Sequence, residues 1–298
     1  MYKLILIFIF PFLLSKAQVN YSDSILILNY YKKNICALAN DSMNGRPPST
    51  IYEEKSIAYL KKELKLLKGF YPKIQNFTYK LKDSIKLKKS KNIYCFINNK
   101  ADSTILIGAH FDHLSVGSNL SLSYHKERNQ IHNGADDNAS GVALLLGLAK
   151  TYPAWRNKKY NYLFVSYSAH EIGLFGSKAF GDLCVTKRIK IKTVFNFDMV
   201  GRLDKLAPII NLYGIHTLPE TQKKYFINLN SNSKIYYQES DKVYQSDCKC
   251  FAEKGISCLF LSTGIHLDYH KPSDDEENIN YNGILLIQKI IENFIAQL

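Results

Sequence analysis

The chain gathers its imidazoles and carboxylates into a few tight clusters. His110, Asp112 and His113 lie within four residues, and Asp136 and Asp137 sit inside Asn133-Gly134-Ala135-Asp136-Asp137-Asn138-Ala139-Ser140-Gly141. His170 adjoins Glu171, Asp198 stands alone, and His266, Asp268 and His270 share one short stretch. Singly, each has an ordinary explanation, because carboxylates cap helices and a lone histidine is more often a core or surface residue than a ligand. Together they supply two imidazoles and three carboxylates. That mixed nitrogen and oxygen set suits zinc, and carboxylates can bridge two ions.

Such a set works only if the fold brings it to one place. The segments that precede the clusters read as strands: 104–109 ends at His110, 160–168 runs into His170-Glu171, 192–197 ends at Asp198, and 256–262 leads to His266, Asp268 and His270. Ligands in open α/β sheets collect outside the carboxyl ends of the strands, so these four strand ends predict one polar rim. Helical segments over 140–152 and around Gly176 alternate with the strands. The alternation predicts an α/β fold: a single domain with a mixed, mostly parallel sheet and helices on both faces.

Residues 18–100 form the N-terminal part of that domain and 101–298 its metal-site core, with no repeat or long Pro/Gly/Ser linker between them. Thr50 and Glu53 make a capping box, and Ile57, Leu60, Leu64 and Leu67 recur at helical spacing behind it. Strands are expected over 73–79 and 92–98. The Lys-rich stretch 80–91 between them reads as a solvated hairpin.

The 298 residues are 46% hydrophobic and 22% charged, enough apolar material for a sizeable core. Lys plus Arg number 39 against 26 for Asp plus Glu, but the formal charge of +13 is spread along the chain. No base-stacking or groove-reading motif accompanies it, so a nucleic-acid partner is not expected. Lys3 precedes an apolar run over 4–14, followed by Ser15-Lys16-Ala17. Residues 1–17 therefore read as a cleavable signal peptide, with the secreted or periplasmic chain starting at Gln18 and no stable membrane insertion, the run being short of the ~20 residues a spanning helix needs. Six cysteines allow fifteen full pairings, and the sequence selects none.

In the order they occur, the motifs resemble those of the secreted zinc aminopeptidases of metallopeptidase family 28, whose relatives include glutamate carboxypeptidases and glutaminyl cyclases. The likeness runs through Asn44-Gly45-Arg46, Gly108-Ala109-His110-Phe111-Asp112-His113, the loop 133–141, Glu171-Ile172-Gly173-Leu174-Phe175-Gly176-Ser177, Asp198-Met199-Val200-Gly201-Arg202 and Asp268-Tyr269-His270-Lys271-Pro272-Ser273-Asp274. The resemblance implies a zinc-exopeptidase-like fold and a site for two Zn2+ ions. His110, Asp137 and Asp198 would hold one ion, and Glu171, His270 and the same Asp137 the other. Asp112 would orient His110 through the imidazole's second N–H. The peptide between Asp137 and Asn138 would be cis. His113, His132 and His266 match no ligand position and are expected behind the ligands or exposed.

Two departures stand out. Where the family has a general-base carboxylate before Glu171, this chain has His170. Between zinc ions that disfavour its charged form, His170 is expected to be mostly neutral at pH 7 and able to accept a proton. The second departure is Ser246-Asp247-Cys248 in place of the family's Ser-Asp-His, and Cys248 is open to pairing with Cys258 or Cys36 or to being a buried thiol with no partner. Nearby Tyr244 reads as a packed aromatic. Three function classes stay open: a two-zinc exopeptidase acting on peptide substrates through a water activated between the metals, a glutaminyl-cyclase-like transferase, and a degenerate member that only binds.

Overall fold

A computed structural model describes residues 21–298 apart from 83, 125–126, 234–236 and 239–240; the expected signal peptide lies outside the described residues. Two helices open the chain, α1 (Tyr21–Leu38) and α2 (Ile51–Lys65), followed by the hairpin β1 (Lys73–Tyr79) and β2 (Lys88–Ile97). Next come β3 (Thr104–His110), α3 (Gly141–Trp155), β4 (Asn161–Tyr167), α4 (Phe175–Thr186) and β5 (Ile191–Phe197). The last part holds β6 (Asn211–Tyr213), α5 (Glu220–Ser233), β7 (Tyr237–Gln238), α6 (Lys249–Ala252), β8 (Ser257–Ser262) and α7 (Tyr281–Gln297). One sheet runs in the order β1-β2-β4-β3-β5-β8-β6-β7. Its centre, β4-β3-β5-β8, is parallel, while β2 joins β4 and β6 joins β8 antiparallel.

Central parallel strands are covered on both faces and therefore read as unbroken apolar runs. All seven residues of β3 are buried, and their side chains alternate between two cores. Ile105, Ile107 and Ala109 face the larger core together with α1, α2, α3 and α7, whereas Leu106 faces the smaller one with α4 and α6. β4 divides in the same way, with Tyr162 and Phe164 on one side and Leu163, Val165 and Tyr167 on the other. Apolar nearly all round, α3 is buried along most of its length, as such a helix must be.

Most expected elements are present, with ends moved by a few residues. β2 begins at Lys88 because the Lys-rich stretch pairs with β1 up to Tyr79↔Lys88. Thr50 caps α2 as expected, accepting from the N–H groups of Tyr52 and Glu53. Glu53 instead reaches the N–H of Ser49, one residue before the cap, and its other oxygen accepts from Ser90 and Ser168. Leu67 falls beyond the end of α2 but still packs on the core. β6, β7 and α7 had no sequence expectation. α7 completes the larger core through Ile284, Ile287, Ile291, Phe294 and Ile295.

The segment between α1 and α2 carries a fully buried arginine. Arg46 donates to the carbonyls of Phe111 at 2.6 Å, Leu38 at 2.5 Å, Asn133 at 2.7 Å and Gly134 at 2.9 Å, tying the β3 exit to the loop 133–141. Burial lowers its pKa to about 10, opposed by Asp112 and Asp137, so it remains charged at neutral pH. Arg46→Met would orphan four carbonyls inside the protein. It is expected to cost roughly 3–5 kcal/mol of stability, read by chemical denaturation, and a loss under 1 kcal/mol would contradict this role.

Candidate metal centre

The loop 133–141 is built to hold one carboxylate still. Gly134 opens it with φ +57°, and the Asp137–Asn138 peptide is cis, as the family resemblance implied. The backbone N–H groups of Asp136 and Asp137 both donate to Asp274, at 3.0 and 2.9 Å. Asp136 turns away from the rim and accepts from Gly201 N–H and Ser140 Oγ. Asn138 bonds the carbonyl of Phe197 at 2.9 Å and accepts from the N–H groups of Gly141 and Met199. The loop is thereby pinned to the exit of β5. What projects into the rim is Asp137, almost wholly buried.

The four strand ends meet around it. His110 Nε2 lies 3.4 Å from Asp137 Oδ1 and 3.3 Å from Asp198 Oδ1. On the other side, His270 Nε2 lies 3.2 Å from Asp137 Oδ2 and 3.3 Å from Glu171 Oε2. The structure thus brings together all five residues named as ligands, in two groups that share Asp137. His110 Nδ1 bonds the carbonyl of Asp112 at 3.1 Å, and His270 Nδ1 bonds that of Leu120 at 3.0 Å, which turns both Nε2 atoms inward. His270 Nε2 is buried and faces its carboxylates without a hydrogen bond's alignment. Converging, desolvated nitrogens and carboxylate oxygens of this kind fit a cation held between them.

Charge tells the same story. For His110, burial and His170 work against protonation, but Asp198 and Asp137 win and raise its pKa to about 9. His270 is opposed by burial and pushed up to about 10 by Asp137 and Glu171. Burial raises Asp112 to about 6 against the pull of His110.

Two expectations change here, those for Asp112 and Tyr244, and His170 gains a partner. Asp112 orients His110 through its backbone oxygen rather than its carboxylate, which is 3.8 Å from Nδ1 and instead accepts the N–H groups of His170 at 3.1 Å and Glu171 at 3.3 Å. The side chain stabilises the turn after β4, because two backbone donors there have no strand partner. His170 has a partner that the sequence did not reveal: its Nδ1 lies 3.0 Å from Oδ2 of the buried Asp247. Burial opposes its charge, but Asp247 and then Asp198 raise its pKa well above the ordinary imidazole range. Tyr244 is 41% exposed rather than packed.

His170 also stacks on His110, with ring centroids 3.7 Å apart and planes 8° from parallel. Imidazole lone pairs lie in the ring plane, so an ion in the plane of one ring lies about a stacking distance from the plane of the other. Although the two histidines and Asp198 offer atoms within 4.8 Å of one another, the rings as placed do not converge on one ion. His170 overlies the cluster as a separate group, with Nε2 3.8 Å from Asp198 Oδ2. Beside it opens a cavity of about 150 Å³ lined by Asp198, Tyr213, Phe260, Ile265 and Tyr269.

Of the other histidines, His132 is buried away from the cluster on Ser121 Oγ, and His266 Nε2 sits 3.2 Å from Asp136 Oδ2, behind the loop. His113 is buried too, with Nδ1 3.0 Å from Glu171 Oε1. Asp247, Asp274 and Arg46 received no role from the sequence, although each stands in or beside a recognisable motif.

The model of peptidase family M28 matches residues 92–295, more than two thirds of the chain. The chain belongs to peptidase family M28. It is 26% identical over 212 residues to aminopeptidase YwaD of Bacillus subtilis, an alignment covering 69% of this chain but only 37% of that protein. Its fold is shared with a zinc aminopeptidase of Bacillus subtilis (TM-score 0.73, 14% identity, 91% of this chain and 95% of that one). It is shared equally with the glutaminyl cyclase of Fimbriiglobus ruber (TM-score 0.77, 15% identity, the same coverage of both chains).

The stretch Ser246-Asp247-Cys248 carries a covalent anchor. Cys248 is bonded to Cys258 of β8, which ties the turn bearing Asp247 to the sheet, while Cys36, Cys95, Cys184 and Cys250 are free. Replacing both cysteines by alanine is expected to cost roughly 2–3 kcal/mol by releasing the short loop they close. Denaturation under non-reducing conditions measures it; an unchanged midpoint would show that the bond does not constrain the unfolded chain.

Proposed function

We propose that this protein is an exported two-zinc hydrolase of peptide bonds, an exopeptidase of aminopeptidase type. The observation that carries the reading is the shared carboxylate: Asp137 turns one oxygen to His110 and the other to His270, each group being completed by one more carboxylate. When bound, two ions would polarise a substrate carbonyl and acidify a water between them. His110, Asp137 and Asp198 would hold one, and Asp137, Glu171 and His270 the other. The cavity beside His170 would seat a substrate side chain against Tyr213, Phe260 and Tyr269. Asp112 keeps the turn carrying His170 and Glu171 in place. His170, held through Nδ1 by Asp247, would use Nε2 to carry a proton between the attacking water and the leaving amine.

Export is supported by the apolar N-terminal run and by the disulfide, a bond that persists in oxidising compartments. The likeness to a glutaminyl cyclase supports a second reading, cyclisation of N-terminal glutamine. The five-residue double set favours hydrolysis over it.

Two measurements test these assignments. Asp137→Ala removes the ligand common to both ions, so its zinc content by elemental analysis is expected to fall further than that of Asp198→Ala or His270→Ala. Undiminished zinc in Asp137→Ala would sink the ligand set. His170→Ala and His170→Glu are both expected to lose roughly 10²-fold or more in hydrolysis of amino-acyl amides, with zinc retained. A gain in the Glu variant alone would mark a degenerate peptidase. Zero turnover by all three proteins on amides, with cyclisation of a glutaminyl peptide, would favour the transferase; zero turnover on both would favour a binding module.

A further inference from the structure

His113 belongs to none of the ligand positions, yet it is among the most tightly held side chains in the rim. It is 1% exposed, and its Nδ1 is 3.0 Å from Glu171 Oε1 and 3.7 Å from Asp137 Oδ2. A ring nitrogen that close to a carboxylate oxygen must carry the proton, because two acceptors would repel. Its other nitrogen, Nε2, is buried with no hydrogen-bond partner. The ring therefore makes one hydrogen bond, and it is to Glu171, with Asp137 farther off.

Packing leaves the ring little freedom. A Cβ added to Gly134 would stand 2.5 Å from both Cγ and Cδ2 of His113 and 2.2 Å from the carbonyl oxygen of Asp137, so the imidazole rests directly on backbone that only glycine provides. The carbonyl of Gly134 is in turn held by Arg46. His270 meets the same ring edge to face, with centroids 5.8 Å apart. The loop that positions Asp137 thus also positions His113, and His113 reaches across to a carboxylate on a different strand end. Glu171 is divided by this contact: Oε1 faces His113, while Oε2 faces His270 Nε2 at 3.3 Å.

We propose that His113 is a positioning residue for the second ion: by donating from Nδ1 to Glu171 Oε1, it leaves Oε2 directed at the point shared with Asp137 and His270. The inference rests on the two-ion reading above and goes beyond it by assigning the residue that orients one ligand. A long carboxylate side chain such as Glu171 has several rotamers, and one directed hydrogen bond from a clamped ring selects among them. Partners of this kind, outside the ligand set, typically alter metal affinity roughly 10- to 100-fold.

The test is zinc affinity, measured on metal-stripped full chain by competition with a chromophoric chelator. Thermal melting of the metal-free proteins serves as the control for folding. The parent is expected to bind two ions. His113→Leu should weaken one of them by roughly 10- to 100-fold and leave the other unchanged. His113→Asn, whose amide N–H can occupy the place of Nδ1–H, should recover most of the loss. His113→Gln places its amide nearer the position of Nε2 and should not, and it stands in for Leu if that variant does not fold. In a Glu171→Ala background, His113→Leu should have no further effect on zinc binding.

A His113→Leu protein that binds both ions as tightly as the parent overturns the proposal. So does equal weakening of both ions, failure of Asn to rescue, or an undiminished effect without Glu171. A parent that binds fewer than two ions overturns the two-ion reading and the inference with it, whereas two ions in the parent with indifferent His113 variants overturns the inference alone.

Discussion

The desolvation of carboxylates at one rim is the constraint on which the structure turns. Asp112, Asp137, Asp247 and Asp274 are buried and Glu171 and Asp198 nearly so, all beside the carboxyl ends of parallel strands. Carboxylates in such surroundings need hydrogen bonds or positive charge, since an unpaired buried charge costs several kcal/mol. The fold meets the need in two ways. Asp112 and Asp274 are satisfied by backbone N–H groups and serve as scaffolding. Asp137, Glu171 and Asp198 are left facing imidazoles, which is where an ion would act.

That division explains why so much of the surrounding structure is rigid. Arg46 gathers four carbonyls from three separate segments, and its charge lies among the same acids. Asn138 bridges the loop to the β5 exit with two hydrogen bonds and closes the loop on itself with a third, from Gly141 N–H. Glycine is required at 134 because the chain turns there at positive φ with an imidazole ring against it. A cluster of like charges would otherwise spread apart, and this framework holds Asp137, Asp198 and Glu171 within 3.2–3.4 Å of the His110 and His270 nitrogens.

His170 fits into this frame without disturbing it. A further acid at that point would add negative charge to a crowded rim. An imidazole instead stacks on His110 and pairs with Asp247, so the same backbone position carries a group of a different charge. Cys248 contributes at one remove, because its bond to Cys258 secures the turn on which Asp247 stands.

The central strands along the chain and the polar residues at their ends were legible in the sequence, because apolar strand runs and polar strand ends are local patterns, whereas the choice of His110, Asp137, Glu171, Asp198 and His270 among those polar residues came from the family resemblance. Fold class followed from the same alternation. Side-chain partners across the rim were not legible. That Asp112 serves the turn after β4, that Asp247 holds His170, that His113 is clamped between Gly134 and Glu171, and that Cys248 chooses Cys258 over Cys36 all depend on contacts between segments far apart in the chain. Local composition gives such residues a type and an exposure, whereas their partners are set by how β3, β4, β5 and β8 bring their ends together. The sequence by itself determined which chemistry could assemble at the rim; only the tertiary structure decided which nitrogen faces which oxygen, because that depends on packing distances no linear pattern encodes.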